Sequence, residues 1–373
     1  MDHLRYSHSR LAPELGIAIR YAQALGLHRA SVNKALPPRE RLLRKRVWAT
    51  LYIYDRFHSA VLGRPYAIED QDWDDREPAD NSDIDRYSMQ MVRISHILGD
   101  VCNKVYRPQT ISSEAASALA RRLQEWSDSL PADMNIHALL RNKTMPLYDR
   151  QVLQRLHLSH LNAVILLTRP FFFYVVASEV TQGIPPGPKE ATAKGTVGRL
   201  ARACVLSATR SVEIVNTLFL EGARPPRPPF LIHFMFYAGL ILLLDAYRDK
   251  SLVGSSAISN VKLIMASYAG VDPSAKRYLY VFEEMSAAIR NSTQQPPPNN
   301  AAVFLDRWQL PAPPPGVTPP NSNLSQFLSG DDILDGTPGF KDIFSFDFDP
   351  AAFWGSMMIG EGDFRGMLLQ PEF

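Results

Sequence analysis

The stretch IDRYSMQMVRISHILGDVCNKV, residues 84–105, decides the fold class of this chain. Its apolar side chains recur at alternating steps of three and four positions, at Ile84, Tyr87, Met91, Ile94, Leu98, Val101 and Val105. This spacing places them on one face of an α-helix. The pattern lasts only about three heptads, fewer than a sustained coiled coil needs. We therefore expect a helix that packs inside a globular helical domain.

Helical spacing also precedes this stretch. One stripe is formed by Leu11, Leu15, Ala18, Ala22 and Leu25, and Gly26 follows where a C-terminal cap belongs. A second helix is predicted from Pro37–Pro38 to Leu62, ended by Gly63 and Pro65. Its predicted inner face consists of Leu43, Val47, Leu51, Tyr54, His58 and Val61.

The rest of the body is also predicted to be helical. Ser112 or Ser113 caps a helix that ends at Pro131. A long helix over 148–176 is expected to break or kink at Arg169–Pro170, because proline lacks a backbone donor. Further helices are predicted at 191–220, 229–247, 257–269 and 273–292. No segment alternates with a period of two, so the sequence predicts an all-α fold of eight or nine helices.

Composition narrows the class of protein. Apolar residues make up 46% of the 373 residues, enough for a sizeable core. The chain has only two cysteines, Cys102 and Cys204, far apart in sequence, which excludes a disulfide framework. Both are interpreted as buried small side chains. No N-terminal signal and no apolar run long enough to span a bilayer is found. A soluble intracellular protein is expected.

Motifs of catalysis are missing. The sequence has neither a nucleophile elbow nor a phosphate-binding glycine loop. His157 and His160 share a helix face without the partners of a zinc site, and His28 is interpreted as a cap at a helix end. The acidic loop at 72–77 lacks EF-hand spacing and is predicted to be solvated. The basic stretch 39–46 is interpreted as the polar face of a helix, with phosphate binding or nuclear import as the alternative.

The chain changes character after Thr293. Residues 294–373 contain ten acidic and three basic residues, a net charge of −7, which leaves +9 for the rest of a chain whose total is +2. Proline-rich strings at 296–298 and 311–320 predict an extended linker. The segment 324–373 alternates acids with nine aromatic residues and is predicted to be disordered when alone. Its expected partner-binding residues are Phe344, Phe346, Phe348, Phe353 and Trp354.

Several strings together resemble the fungal zinc-cluster transcription factors. They are GIAIRYAQALGLHR (16–29), RKRVW (44–48), YIYDR (52–56), GRP (63–65), LQEW (123–126) before Leu130–Pro131, LLTRPF (166–171) and the aliphatic helix after Pro228–Pro229. Each string is short, but they follow the family's order over roughly 11–247. The residues that carry the resemblance are Gly26, His28, Arg29, Arg46, Trp48, Asp55, Gly63, Arg64, Pro65, Trp126, Arg169 and Pro170.

The resemblance implies the all-helical fungal-specific transcription factor domain of the xylanolytic activator type, which regulates activity. In that family a six-cysteine cluster with two zinc ions reads DNA, and acidic segments recruit the transcription machinery. The six cysteines are absent here, so either the gene model is truncated or the protein is a paralogue without its own DNA reader. Zinc is expected only in the missing cluster, and direct DNA contact by these residues is not expected.

Four of the matched residues have a physical interpretation. Gly63 and Pro65 would fix the exit of their helix, and Trp48 would anchor the core. Asp55 is predicted to pair with Arg46 or Arg64.

The predicted organisation is a helical regulatory domain at 1–292, a proline-rich linker at 293–323 and an acidic, aromatic activation segment at 324–373. The predicted function is regulation of RNA polymerase II transcription in the nucleus, without enzymatic activity, cofactor or membrane. Expected partners are co-activators at the tail, a second copy or a related transcription factor, and a small-molecule effector. The alternative is a metabolite-sensing receptor or co-regulator that lacks a DNA-binding domain.

Overall fold

The protein is described by a computed structural model at residues 8–75, 83–107, 112–142, 144–181, 195–222, 230–248, 252 and 254–294. Within these ranges the chain forms eleven α-helices and no β-strand, which confirms the predicted all-α class. The helices are α1 (His8–Ala24), α2 (Ala30–Lys34), α3 (Pro38–Leu62), α4 (Asp83–Val101), α5 (Ser113–Asp128), α6 (Ile136–Arg141), α7 (Leu147–Thr181), α8 (Gly195–Leu220), α9 (Leu231–Arg248), α10 (Ser256–Ala269) and α11 (Pro273–Gln294). The short helices α2 and α6 have no counterpart among the predicted ones.

Helices α7 and α8 pack along one another at the centre of the fold. On one side α4 joins this pair to α3, and on the other α9 packs against α8, α10 and α11. The main core fills the spaces between these helices and contains Leu153, Leu167, Cys204 and Met235. A smaller second core under α1 and α3 contains Ile19, Trp48 and Trp73.

The stretch that predicted the fold forms α4 and a following π-helical turn, Cys102–Tyr106. Ile94, Leu98 and Val101 are fully buried, and Val105 is 3% exposed. The seam therefore packs into a globular core, as predicted, and does not form an extended coiled coil.

The predicted apolar faces of α1 and α3 are wrong in part, although Ala22 and His58 are buried as predicted. In α3, Leu43 and Val47 are exposed, and the buried face is shifted by one residue to Trp48, Tyr52 and Asp55. The apolar pattern misleads here because Asp55 is a charged residue that finds partners inside the protein.

In α1 the buried residues are Ile19 and Ala22, whereas Ala18 and Leu25, which belong to the predicted apolar stripe, are exposed. Exposed Ile17 and Tyr21 lie on the same outer side. Several apolar side chains of this helix therefore point away from the core.

The predicted helix ends are confirmed at three places. Gly26 follows α1 with φ of +71°, and Gly63 caps α3 with φ of +64°, a conformation that glycine adopts without strain. The hydroxyl of Ser112 accepts a hydrogen bond from the N–H of Ala115 at the start of α5.

Helix α7 does not break at Pro170, and its helical conformation continues to Thr181. In a regular helix the N–H of residue 170 would bind the carbonyl of Leu166, four residues earlier. Proline has no N–H, and the hydroxyl of Tyr106 instead donates to this carbonyl at 2.6 Å. A side chain from another helical segment thus replaces the missing hydrogen bond, which explains why the predicted break is absent.

Three helices are long and apolar enough, by length and composition, to cross a membrane: Leu147–Val176, Gly195–Leu220 and Leu231–Arg248. In the first and third, 78% of the most apolar window is buried inside the protein. The apolar side chains of these helices therefore form the core of the fold. The linker at 293–323 and the tail at 324–373 lie outside the described residues except for Thr293 and Gln294.

Candidate functional site

The carboxylate of Asp55 holds the loop that follows α3. The backbone N–H groups of Ala67 and Ile68 donate to it at 2.9 and 3.0 Å. Burial raises the pKa of Asp55, while these two amides and the charge of Arg56 act in the opposite direction. The loop is thus fastened to the helix that precedes it.

The predicted pairing of Asp55 with Arg46 or Arg64 is wrong. The nearby cation is Arg56, whose Nη1 lies 3.2 Å from Oδ2 of Asp55. Arg46 lies nine positions earlier in the same helix, a rise of about 13 Å. Arg64 is exposed just after the helix cap.

Arg56 is itself buried, with 1% of its surface exposed. Its guanidinium carbon lies 3.7 Å from the ring centre of Tyr66 and 4.5 Å from that of Tyr52. A second carboxylate, Asp70, lies 3.2 Å from Nη2. Gly99 of α4 makes room for the side chain, because a Cβ there would lie 3.0 Å from Nε of Arg56. Two carboxylates and two aromatic rings thus compensate the charge of this arginine in place of water.

Trp48 occupies the smaller core, as predicted, and is fully buried. The ring of His28 lies 5.3 Å from it and that of Trp73 6.5 Å, measured between ring centroids. Burial, followed by the charge of Arg29, lowers the pKa of His28. The lowered pKa disfavours the cation that the predicted capping role requires, and the ring packs against an indole.

The acidic loop is partly structural, in contrast to the predicted solvated loop. Asp75 is 8% exposed and accepts a hydrogen bond from Asn33 at 2.8 Å. Lys45 lies 2.7 Å from the same carboxylate, and the N–H of Ala30 donates to Asp74. The loop thereby ties α2 to α3, and Lys45 of the basic stretch takes part in this contact.

The remaining family-like residues are spread over the scaffold. The N–H of exposed Arg64 donates to the carbonyl of Ser59, whose hydroxyl donates to the carbonyl of Pro65. The guanidinium of Arg169 lies 5.3 Å from the ring centre of Tyr106. Arg46 is half-buried in α3. The tail residues 344–354 lie outside the described part of the chain.

His157 and His160 are both buried on one face of α7. Burial lowers their pKa values to about 4 and about 3, so both are neutral at pH 7. His157 donates from Nε2 to the carbonyl of Met134 at 3.0 Å, and His160 packs against Trp126 with ring centroids 5.0 Å apart. These interactions are those of core histidines.

The residues present do not fit a zinc cluster. Burial raises the pKa of the Cys204 thiol to about 12 and also raises that of Cys102, so both thiols are protonated. Metal-bound cysteines are thiolates, and the family's cluster needs six of them. Among the described residues no group of three or more His, Cys, Asp or Glu side chains could hold a metal ion.

A cavity of about 450 Å³ lies between α3, α4, α7 and the start of α9. Its inner wall is buried and apolar, with Phe57 1%, Leu156 0% and Phe234 6% exposed. The polar side chains around it include Asp149 and Arg155, which come from α7. A concave, mostly apolar space with a few polar groups is the usual form of a small-molecule site.

Aromatic rings line one side of this cavity. The ring of Phe230 lies 5.6 Å from Tyr54, 5.7 Å from Phe57 and 6.1 Å from Phe234, between centroids. Phe230 has φ of +62°, and among the described residues no other side-chain-bearing residue has positive φ. This conformation costs a non-glycine residue about 1–2 kcal/mol. Contact with the other three rings offsets this cost and keeps the ring in the cavity wall.

None of the residues that carry the family resemblance lines this cavity. Its wall comes from segments around 50–57, 87–91, 148–159 and 230–234, which are distant along the chain. Helical periodicity identifies which residues share a face, but it does not show which faces leave a space between them. Three lining residues, Tyr54, Tyr87 and Met91, belong to the predicted helix faces, but only as packing positions.

Comparison with known proteins finds similarity to fungal transcription regulators. Residues 3–128 match the profile of the fungal specific transcription factor domain. Filamentous growth regulator 27 of Candida albicans is 26% identical over 302 residues, 74% of this chain and 38% of that protein. Activator of stress genes 1 of Saccharomyces cerevisiae is 30% identical over 195 residues, 46% of this chain and 20% of that protein.

A third relative, transcription factor FBD3 of Gibberella moniliformis, is 23% identical over 285 residues, 67% of this chain and 37% of that protein. The chain thus spans less than two fifths of the length of these three relatives. No solved structure matches the chain.

Proposed function

We propose that the chain regulates transcription by RNA polymerase II in the nucleus, because residues 3–128 match the fungal specific transcription factor domain. The observation that carries this proposal is the match over residues 3–128, together with similarity to a named fungal regulator over 74% of the chain. The helical body would be the regulatory part, and co-activators would bind the tail at 324–373. DNA contact would come from a six-cysteine cluster outside these residues or on a partner, either a second copy or a related factor.

The tail supports this proposal through its composition. Between Phe340 and Trp354 the acids Asp342, Asp347 and Asp349 alternate with aromatic residues. Repulsion between carboxylates keeps the rings from collapsing on one another, so they can enter a groove on a partner.

The test joins the full chain to an unrelated DNA-binding domain and measures a reporter gene in yeast. We expect activation that falls at least fivefold when Phe344, Phe346, Phe348, Phe353 and Trp354 are replaced by alanine. The matched control replaces Phe327, Phe364 and Phe373 in the same tail and leaves activity in place. A reporter that stays silent with the unaltered chain, or one that ignores the five substitutions, would refute the activation role.

A second candidate function, a metabolite receptor, is favoured by one observation, the cavity between α3, α4, α7 and α9. In this role a small molecule would stabilise the helical body and thereby alter the regulation that the chain exerts.

A further inference from the structure

We propose that the cavity binds an uncharged ring compound, aromatic or alicyclic, that carries a hydroxyl or carbonyl group. This inference rests on the receptor role and names its ligand class. The cavity volume, about 450 Å³, lies in the range of small-molecule sites and suits a compound of two or three fused or linked rings.

The wall chemistry selects an aromatic or alicyclic ligand. Phe57 and Phe234 form the inner wall together with Leu156, and the ring of Phe230 completes one side. Flat apolar molecules gain from contact with such rings both by loss of water and by offset or edge-on packing.

The distribution of charged side chains around the cavity favours an uncharged ligand. The buried inner wall described above carries no ionisable group, so a charged ligand would lose its hydration there without a partner. The two charged lining residues, Asp149 and Arg155, have opposite signs and favour neither an anion nor a cation. Buried Ser159 also lines the cavity, and its hydroxyl suits a hydroxyl or carbonyl group of the ligand. Gln154 lines the cavity as well, but its Nε2 already donates to the carbonyl of Ile214 at 3.2 Å.

The backbone of Phe230 is the second observation that points to a ligand. Strained conformations of this kind persist at ligand clamps, where the surrounding structure over-determines them. Phe230 directly precedes α9, and its carbonyl accepts from the N–H of Phe234 at 2.8 Å. A ligand that packs against the ring would therefore stabilise the start of α9, a helix that packs against α10 and α11.

The probe for the test is N-phenyl-1-naphthylamine, an uncharged aromatic compound that fluoresces more strongly in apolar surroundings. We expect saturable binding to the full chain at one site, with a dissociation constant in the micromolar range. Ser88→Trp places an indole in the cavity and should weaken binding at least tenfold. Arg93→Trp adds the same side chain at an exposed position of the same helix outside the cavity, and should leave binding unchanged.

Thr50→Trp serves as a second cavity-filling variant, because Thr50 is exposed and tolerates a larger side chain more readily. Circular dichroism and the melting temperature establish that each variant is folded. The proposal is overturned if the unaltered chain shows no saturable signal, or if both filling variants bind as well as Arg93→Trp.

A separate arm asks whether the chain's own tail is the occupant. Replacing Phe344, Phe348 and Trp354 by alanine in the full chain should leave probe affinity unchanged. A clear gain in affinity would assign the cavity to the tail and overturn the small-molecule proposal. Failure of probe binding with an active reporter refutes this inference alone, whereas a silent reporter with intact probe binding refutes the activation role alone.

Discussion

Tyr106→Phe tests whether a side chain really replaces the hydrogen bond that Pro170 cannot make. The substitution keeps the ring and removes only the hydroxyl that donates to the carbonyl of Leu166 at 2.6 Å. Tyr106 is 41% exposed, but Leu166 is only 8% exposed, so the substitution leaves the carbonyl of a buried residue without its donor. Leaving a buried carbonyl without a donor costs about 1–2 kcal/mol. We expect this loss in urea denaturation followed by far-UV circular dichroism.

A double-mutant cycle makes the test specific to Pro170. In Pro170→Ala the backbone N–H returns and can bind the Leu166 carbonyl within the helix. Tyr106→Phe should then cost nearly nothing, which corresponds to a coupling energy of about 1 kcal/mol. Tyr174→Phe, at an exposed tyrosine of the same helix, is the control and should change stability by less than about 0.5 kcal/mol. Equal costs of Tyr106→Phe in the two backgrounds would refute the reasoning.

Three further predictions concern the buried groups. Asp55→Ala removes the acceptor of two amides and one of the two carboxylates beside buried Arg56. We therefore expect urea denaturation to show a free energy of unfolding that is about 3–5 kcal/mol lower. An unchanged denaturation midpoint would contradict this. Because burial lowers the pKa of His157 from about 6.5 to about 4, stability should fall as pH drops through this window. At pH 5 the wild type should have lost about 2 kcal/mol more of its free energy of unfolding than His157→Gln. Parallel profiles of stability against pH for the two proteins would rule this out. Gly239→Ala places a Cβ 2.7 Å from side chains of α10 and α11 and should lower the free energy of unfolding by about 1–3 kcal/mol. The control Gly16→Ala meets nothing within 4 Å and should not lower it. Similar melting temperatures for both variants would count against close packing at Gly239.

The position of the second core shows how far sequence reasoning reaches. Trp48 was correctly expected in the core, because a large indole gains much from burial. The face of α3 was nevertheless assigned one residue out of register, with Val47 and Tyr54 inward. Asp55 and Arg56 look like surface residues to any apolar pattern, and only their partners show that they belong inside.

For the candidate functional site, too, the sequence identified scaffold residues but not the cavity. Residues selected for their family-like strings proved to be scaffold, such as Gly63, which caps α3, and Asp55, which holds the next loop. The sequence did not predict the cavity, because Phe57 and Phe234 lie far apart along the chain and come into contact only after folding. Each of them looks like an ordinary core residue when its own helix is considered alone.

The sequence by itself determined the helices, most of their ends and the resemblance to fungal transcription factors, because helical periodicity, glycine caps and short motifs are local properties of the chain. Only the tertiary structure decided which face of α3 is buried, how α7 passes Pro170 and where a cavity remains. The physical reason is that each of these depends on a group from a distant segment: a backbone amide for Asp55, a hydroxyl for Leu166, and four separate helices around one space.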